Sequence, residues 1–532
     1  MRAASPRAIA AGIAGLAALA ILAGGAFLGL LVEGVREGSG ALSAFDAYLL
    51  RVARFTLWQA VLSTLVSVGP ALLLARAISR HPRFFGRAAL IRLFAVPLAL
   101  PALVAALGVL ALFGRAGLVA DLHAALGIGA WPGVYGLSGI LIAHAFFNIP
   151  LATRLLLQTL DAVPADQWRL SAQLGMGAGA SFRFVEWPAL RAALPGVAGL
   201  VFMLCVTSFT IVLTLGGGPA ATTLEVAIYQ SLRFDFDPAR ALALTVLQLL
   251  LTVAIVAVLF RLGANMAGEA AISVSSRRHA TPGMAETIAN GALIVLAGLF
   301  VVGPIVAIIV AGLQADLPRL AADPAVQGAV ATSLVFSLCA GLLCVALTWA
   351  LVVGRRAAEA RRLWRLERAM DAGASLILVV PAVVLGAGWF ILLRHFVDVF
   401  ALAPVMVVAV NAAMAAPFAL RAIRPAHDAA ANRHDRLCAS LGIAGFDRFR
   451  LVDWPSLRLP LATALAFSMA LSLGDLGVIA LFGSDAVRTL PYLLLQRMGS
   501  YRTADAAGLA LMLASLCFLL MWIAGAARSG RT

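Results

Sequence analysis

The sequence predicts an all-α membrane protein of about twelve transmembrane helices, built as a tandem duplication of a six-helix unit. Three observations predict it. Of 532 residues, 62% are hydrophobic and 12% charged, whereas a soluble domain carries about 25% charged residues. Apolar runs of spanning length, about 20 residues each, recur along the chain. A constant offset of 267 also aligns a long stretch of the second half with the first. The composition excludes a water-soluble enzyme, and it is too apolar for a disordered chain.

The runs lie near 8–32, 55–79, 90–113, 137–159, 192–215 and 241–260, then near 288–312, 330–353, 375–393, 402–420, 458–481 and 506–527. The first follows Arg2 and Arg7, as a signal peptide would. Its length exceeds a signal core of about 7–15 residues and no cleavage site is evident, so it is expected to stay as a span. Orientation follows from arginine. With the N-terminus inside and alternate loops facing in, the inner side holds 29 of the 40 Arg, and acids divide 12 inside to 13 outside. The positive-inside rule then places both termini in the cytoplasm.

All 40 basic residues are Arg. A phosphate-binding P-loop needs the Lys of GxxxxGK[ST], so any ATP and Mg would be bound by another chain. In a chain this apolar the positive charge reads as inner loops facing lipid, and no nucleic-acid partner is expected. Cys205, Cys339, Cys344, Cys438 and Cys517 form no CxxC pair, so neither a disulfide framework nor a zinc site is expected. No catalytic cluster and no bound cofactor or metal is read in this chain.

The repeat is densest in two inner loops. The 267 offset pairs Pro150 with Pro417, Arg154 with Arg421, Asp161 with Asp428, Arg169 with Arg436 and Gly175 with Gly442. It continues through Phe182 and Phe449, Trp187-Pro188 and Trp454-Pro455, and Arg191 and Arg458. Weaker matches join Pro101 to Pro381 and Thr223-Leu224 to Thr489-Leu490. Six spans per unit give both copies one orientation, related by an axis along the membrane normal, with a path expected between them.

Each loop is expected to fold as a short helix, a Gly break, a second short helix, and Trp-Pro leading into the next span. In the first, Pro164 suits the first turn, Asp166 favours the helix N-terminus, Leu170 and Leu174 form an apolar edge, and Gly175 is a left-handed cap. Leu437, Leu441 and Gly442 repeat this. Such a helix either rests on lipid headgroups or docks a soluble partner. Two matched copies favour a two-fold symmetric partner.

The loops carry a family resemblance. Gly175 is followed thirteen residues later by Pro188, with Val185 three before it, and Gly442, Val452 and Pro455 repeat the spacing. This resembles the EAA loop of binding-protein-dependent ABC importers, whose permeases have the type I (MetI-like) fold. The usual Glu-Ala-Ala is replaced by Arg169-Leu170-Ser171 and Arg436-Leu437-Cys438. The resemblance implies ATPase-coupling loops containing Asp161, Arg169, Leu170, Ala172, Leu174, Gly175, Val185 and Pro188, matched by Asp428, Arg436, Leu437, Ala439, Leu441, Gly442, Val452 and Pro455. It implies two copies of an ABC ATP-binding subunit beneath them, a periplasmic binding protein above, and residence in a bacterial inner membrane. Domain bounds follow: a first span and outer segment over 1–54, one type-1 repeat over 55–262, a linker, seventh span and outer loop over 263–329, and a second repeat over 330–527.

Stretches such as LIAHAFFNIP, LGGGPAATTLEVAIYQ, ALFGSDAVRTLP and GSYRTADAA are similar to the thiamine-transport branch of that family, which implies a thiamine-binding protein as partner. The fused iron(III) branch shares the duplicated layout. An ion-coupled secondary transporter would need mid-membrane carboxylates that the runs largely lack.

Candidate path or gate residues are Phe209 and Trp389, whose rings could face a cation; Gly216, Gly217 and Gly483 in Gly-rich outer turns, as hinge or plain turn; and Asp475. A carboxylate inside an apolar run is a functional candidate by default. Asp475 would either attract a cationic substrate or pair with a neighbouring Arg. His144 and Asn148, four apart, read as hydrogen-bond partners between helices.

Overall fold

The computed structural model describes residues 6–37, 46–261, 283–376, 380–443, 445–484 and 487–529. Every regular element among them is helical. Residues 262–282 of the expected linker lie outside the described residues. Eleven helices are long and apolar enough to cross a membrane. At the ninth place stands Ala382–Leu393, of 12 residues, about 18 Å long against a hydrocarbon core of about 30 Å. Among the described residues the twelve expected runs thus appear as eleven helices long enough to cross and a ninth that is too short to cross as one helix.

The third run is also broken. Its expected 90–113 divides into Arg87–Leu93, Val96–Ala99 and Ala102–Phe113, and a further helix covers Leu118–Ala125. Pro97 and Pro101 interrupt it because a proline has no N–H and biases its predecessor away from helix. Pro101 and Pro381, weakly matched in sequence, each stand extended at the head of a 12-residue apolar helix.

Spans five and eleven break at matched places. Trp187–Val206 stops and Phe209–Leu215 resumes. Trp454–Gly474 stops and Gly477–Phe482 resumes. After each break a ten-residue helix, Leu224–Arg233 or Leu490–Gly499, precedes the last span of its half. The Leu224 N–H donates to Thr56 Oγ1 at 3.0 Å and the Leu490 N–H to Ser333 Oγ at 2.7 Å. A buried hydroxyl thus caps the same helix start in both halves.

The chain forms two compact units. One comprises Met1–Asp46, Ala227–Val246 and Gly312–Thr532, the other Ala47–Val226 and Leu247–Ala311. The unit holding the second-half helices therefore takes in span one, Pro6–Glu37. That of the first half takes in most of span seven, Met284–Leu313.

Small residues make both packings possible. A Cβ on Gly29 would stand 2.2 Å from the Gly388 carbonyl oxygen, and one on Gly354 would stand 2.5 Å from Gly12 Cα. Backbones this close are the general use of glycine between membrane helices. In the other unit a Cβ on Gly108 would stand 2.5 Å from the Pro304 carbonyl oxygen. Glu33, near the end of span one, pairs with Arg394 and accepts from His395 Nε2 at 3.0 Å.

A Gly29→Val side chain has no room, whereas Gly24 has nothing within 4 Å of its Cβ position. Gly29→Val is expected to lower the unfolding free energy by about 1–3 kcal/mol, and Gly24→Val to be neutral. Thermal unfolding of the two variants in one detergent checks the difference.

Candidate functional site

The first of the two repeated loops folds as expected up to one detail. Span four, Leu137–Asp161, ends and Ala165–Gln173 begins after Pro164, which stands extended just ahead of the first turn. Gly175 has φ +62. The Met176 N–H bonds the Ser171 carbonyl and the Gly175 N–H that of Ala172, a Schellman cap that consumes the last free carbonyls. Ala178–Ser181 and a wide π turn, Phe182–Glu186, lead into Trp187–Val206, with Pro188 in its first turn.

The second loop departs from expectation. No separate short helix precedes Gly442. Span ten runs unbroken from Ala403 to Leu441, 39 residues, or about 58 Å. The position matched to Pro164 is Ala431, so the proline that precedes the short helix of the first loop is missing here, and the helix runs on through Pro417 and Pro425 as well. The end of the loop nevertheless repeats the first. Gly442 has φ +67 and the Ile443 N–H bonds the Cys438 carbonyl at 2.9 Å. Another π turn, Phe449–Asp453, leads into Trp454–Gly474 with Pro455 in its first turn.

The two apolar faces agree closely. Leu170 and Leu174 are 56% and 62% exposed, and Leu437 and Leu441 are 56% and 63%. Phe184 and Leu451, a matched pair not singled out from sequence, are both 61% exposed. Arg169, Ala172, Pro188, Arg436, Ala439 and Pro455 are exposed beside them. Val185 instead packs beneath the loop with Val163 and Trp168, and Val452 is half-buried. Arg169 Nη1 lies 3.3 Å from Asp166. Asp161 lies 3.9 Å from Arg87, and Asp428 lies 2.6 Å from Arg355.

The proposed path residues are set by packing. Trp389 donates its indole N–H to the Leu22 carbonyl at 2.7 Å, and its ring covers Gly25 of span one. Phe209 is buried at the restart of span five. A Cβ on Gly216 would stand 2.5 Å from the Val212 carbonyl oxygen, and Gly217 has φ +69. The Gly483 carbonyl accepts from Arg233 Nη2 at 2.9 Å, and the Arg233 guanidinium lies 5.5 Å from the Phe400 ring centre.

Among the described residues no Arg pairs with Asp475. Its carboxylate accepts the Gly477 and Val478 N–H groups at 3.2 and 3.4 Å, because the break in span eleven leaves those donors open. In the first half Ser208 holds that place. His144 lies 2.8 Å from both Ser208 Oγ and Ser63 Oγ, joining spans two and four to the break. Asn148 Nδ2 lies 3.4 Å from Cys205 Sγ. Gln59 Nε2 donates to the Cys205 carbonyl, in the last turn before the break, at 2.8 Å.

The second half of the chain repeats the first in its two π turns, two positive-φ glycines and two apolar faces. Residues 67–267 and again 346–529 match the family described as binding-protein-dependent transport system inner membrane component. The chain belongs to that family. It is similar over nearly its whole length to the thiamine transport system permease protein ThiP of Brucella abortus, at 58% identity over 98% of this chain and 96% of the relative. The protein of the same name from Escherichia coli is 47% identical over 90% of this chain and 89% of the relative. A sulfate transport system permease protein, CysT of Salmonella typhimurium, is 30% identical over 40% of this chain and 78% of the relative. As a member of this family the chain is a multi-pass inner-membrane component of an ABC importer, not itself an enzyme, and it works with a binding protein and an ATPase.

Several residues of this family member carry no sequence signal of their own. Glu225, in the first turn of Leu224–Arg233, is buried, and among the described residues its Oε1 has no hydrogen-bond partner. Burial raises its pKa from 4.5 to about 8. The folded state thus holds a proton that the unfolded chain releases above pH 4.5, so this group costs increasing stability up to about pH 8 and a constant amount beyond. Glu225→Gln removes that dependence. Wild type and variant are expected to unfold alike near pH 4.5, with the wild type falling behind as pH rises towards 8. Thermal scans across that range test this.

Proposed function

We propose that this chain is the permease of an ABC importer for thiamine or its phosphates, with both termini in the cytoplasm. Two copies of an ATP-binding subunit dock on the two inner loops, and a periplasmic thiamine-binding protein delivers substrate from the other side. ATP and Mg reside in the ATPase partners.

The observation that carries the coupling role is the pair of matched apolar faces, Leu170, Leu174 and Phe184 against Leu437, Leu441 and Leu451. Their equal exposure suits two identical partners. Each face stands on a glycine-capped helix end followed by a π turn, so a push on the face reaches the next span directly. That span is the broken one in each half. Nucleotide binding that favours one loop arrangement over the other would shift the two halves between inward- and outward-open states. Support for the substrate comes from the relatives 58% and 47% identical, both named for thiamine transport.

Burying a leucine contributes about 1.5–3 kcal/mol. Replacing one on each face, Leu170→Asp with Leu437→Asp, is therefore expected to weaken ATPase association by at least about a hundredfold. Membrane insertion should be retained. Co-purification of the ATPase with the variant, beside uptake of labelled thiamine in a strain lacking the native chain, tests both parts. Retained ATPase would overturn the docking faces. Uptake indifferent to the chain would overturn the substrate.

A further inference from the structure

We propose that the two inner loops are linked to the membrane helices through different limbs, and that Glu186 is the positioning residue through which the first loop moves span two. The inference rests on the ATPase-docking reading above.

Glu186 ends the first π turn and is buried. Its Oε2 accepts from Arg76 Nε at 2.9 Å, and its Oε1 accepts from Arg80 Nε and Nη2 at 3.1 Å. Both arginines lie at the end of span two, Ala47–Arg80, one helical turn apart. Arg80 also donates to the Ala178 carbonyl at 2.9 Å and pairs with Glu286 in the first turn of span seven. The Arg76 guanidinium stands 4.9 Å from the Phe182 ring centre. Two cations and two carboxylates therefore bolt the limb after Gly175 to spans two and seven. Charge-assisted bonds of this kind are short and directional. Removing one carboxylate leaves cationic charge without compensation in a largely buried place.

The second half is linked otherwise. Asp453 holds the matched position with a side chain one methylene shorter, and among the described residues its ion pair is with Arg448 of its own limb, at 3.6 Å. Arg355 and Arg356, near the end of span eight, reach the limb before Gly442 instead. Arg355 bonds Asp428 at 2.6 Å, and Arg356 bonds Asn432 at 2.9 Å and Asp435 at 3.3 Å. Span eight meets the limb after Gly442 directly through an edge contact of Trp349 with Phe449, ring centres 6.0 Å apart, and at one remove through Asp435, which Arg448 of that limb also holds at 2.7 Å. Span two is thus fastened to the returning limb by direct ion pairs, whereas span eight is fastened directly to the unbroken span ten and reaches the returning limb through the bridge of Asp435 to Arg448.

The test uses the whole transporter: this chain, its ATPase subunits and the binding protein in ATP-loaded vesicles. Thiamine uptake and ATP hydrolysis are measured together. Glu186→Gln is expected to lower thiamine moved per ATP about tenfold, within the range of coupling energies between sites, while hydrolysis without binding protein stays near wild type. Asp453→Asn is expected to leave the ratio unchanged, and Glu186→Asp to recover most of it. An unchanged ratio in Glu186→Gln, or an equal fall in Asp453→Asn, overturns the inference. If Glu186→Gln does not assemble, Arg76→Gln, which leaves Arg80 on the carboxylate, is judged by the same ratio.

A second readout does not need the substrate. Spin labels at Gly179→Cys and Leu73→Cys, with the native cysteines replaced, should keep one separation on ATP addition in wild type and change it in Glu186→Gln. A change in wild type overturns the linkage. Uptake absent from a wild-type complex whose labels behave as expected removes thiamine alone.

Discussion

A backbone N–H or C=O that stops bonding inside hydrocarbon has no water to turn to. This chain interrupts its helices at matched places in both halves, and side chains meet several of the groups so freed. Thr56 and Ser333 cap the helices starting at Leu224 and Leu490. Asp475 caps Gly477–Phe482, while Gln59 takes the Cys205 carbonyl at the corresponding break. A buried polar residue here is first a repair to a broken span. The same reasoning explains why candidate substrate groups such as Asp475 are already engaged by the protein itself.

Broken spans and the two repeated loops adjoin. The span that follows each loop is the one that breaks, so under the proposed docking a displacement entering at Pro188 or Pro455 would travel along about twenty residues of helix to a joint. In the first half that joint is tied to spans two and four by His144. In the second a carboxylate caps the restart, and Asn411 of span ten, matched to His144, donates to Ser472 in the last turn before the break at 3.0 Å. The halves share their plan and differ in their fastenings, as duplicated units do once each copy has acquired its own neighbours.

Span packing depends on glycine more than on polar contacts. Gly12, Gly25 and Gly29 of span one meet Gly354, Gly388 and Trp389 at distances no side chain would permit. Lipid tails are as apolar as leucine, so association rests on close approach. Glu33, with Arg394 and His395, adds a polar tie near the end of that seam.

The sequence by itself determined the class, the run of apolar passages, the duplication and the two repeated loops, down to the left-handed glycines at 175 and 442. These are properties of composition and of local pattern: hydropathy, a fixed offset, and a residue type that tolerates positive φ. It did not show that span nine is too short to cross as one helix, since an apolar run looks the same whether or not a proline splits it. Nor did it show that span ten continues into the second loop, although Ala431 opposite Pro164 was the available sign. The acid before each Trp-Pro was visible as a repeat, but its partners Arg76 and Arg80 lie 110 and 106 residues away in the chain. Tertiary structure alone decided which unit takes span one, where Trp389 turns, and which limb each arginine pair holds. Those outcomes depend on which surfaces meet in space, and no local period encodes them.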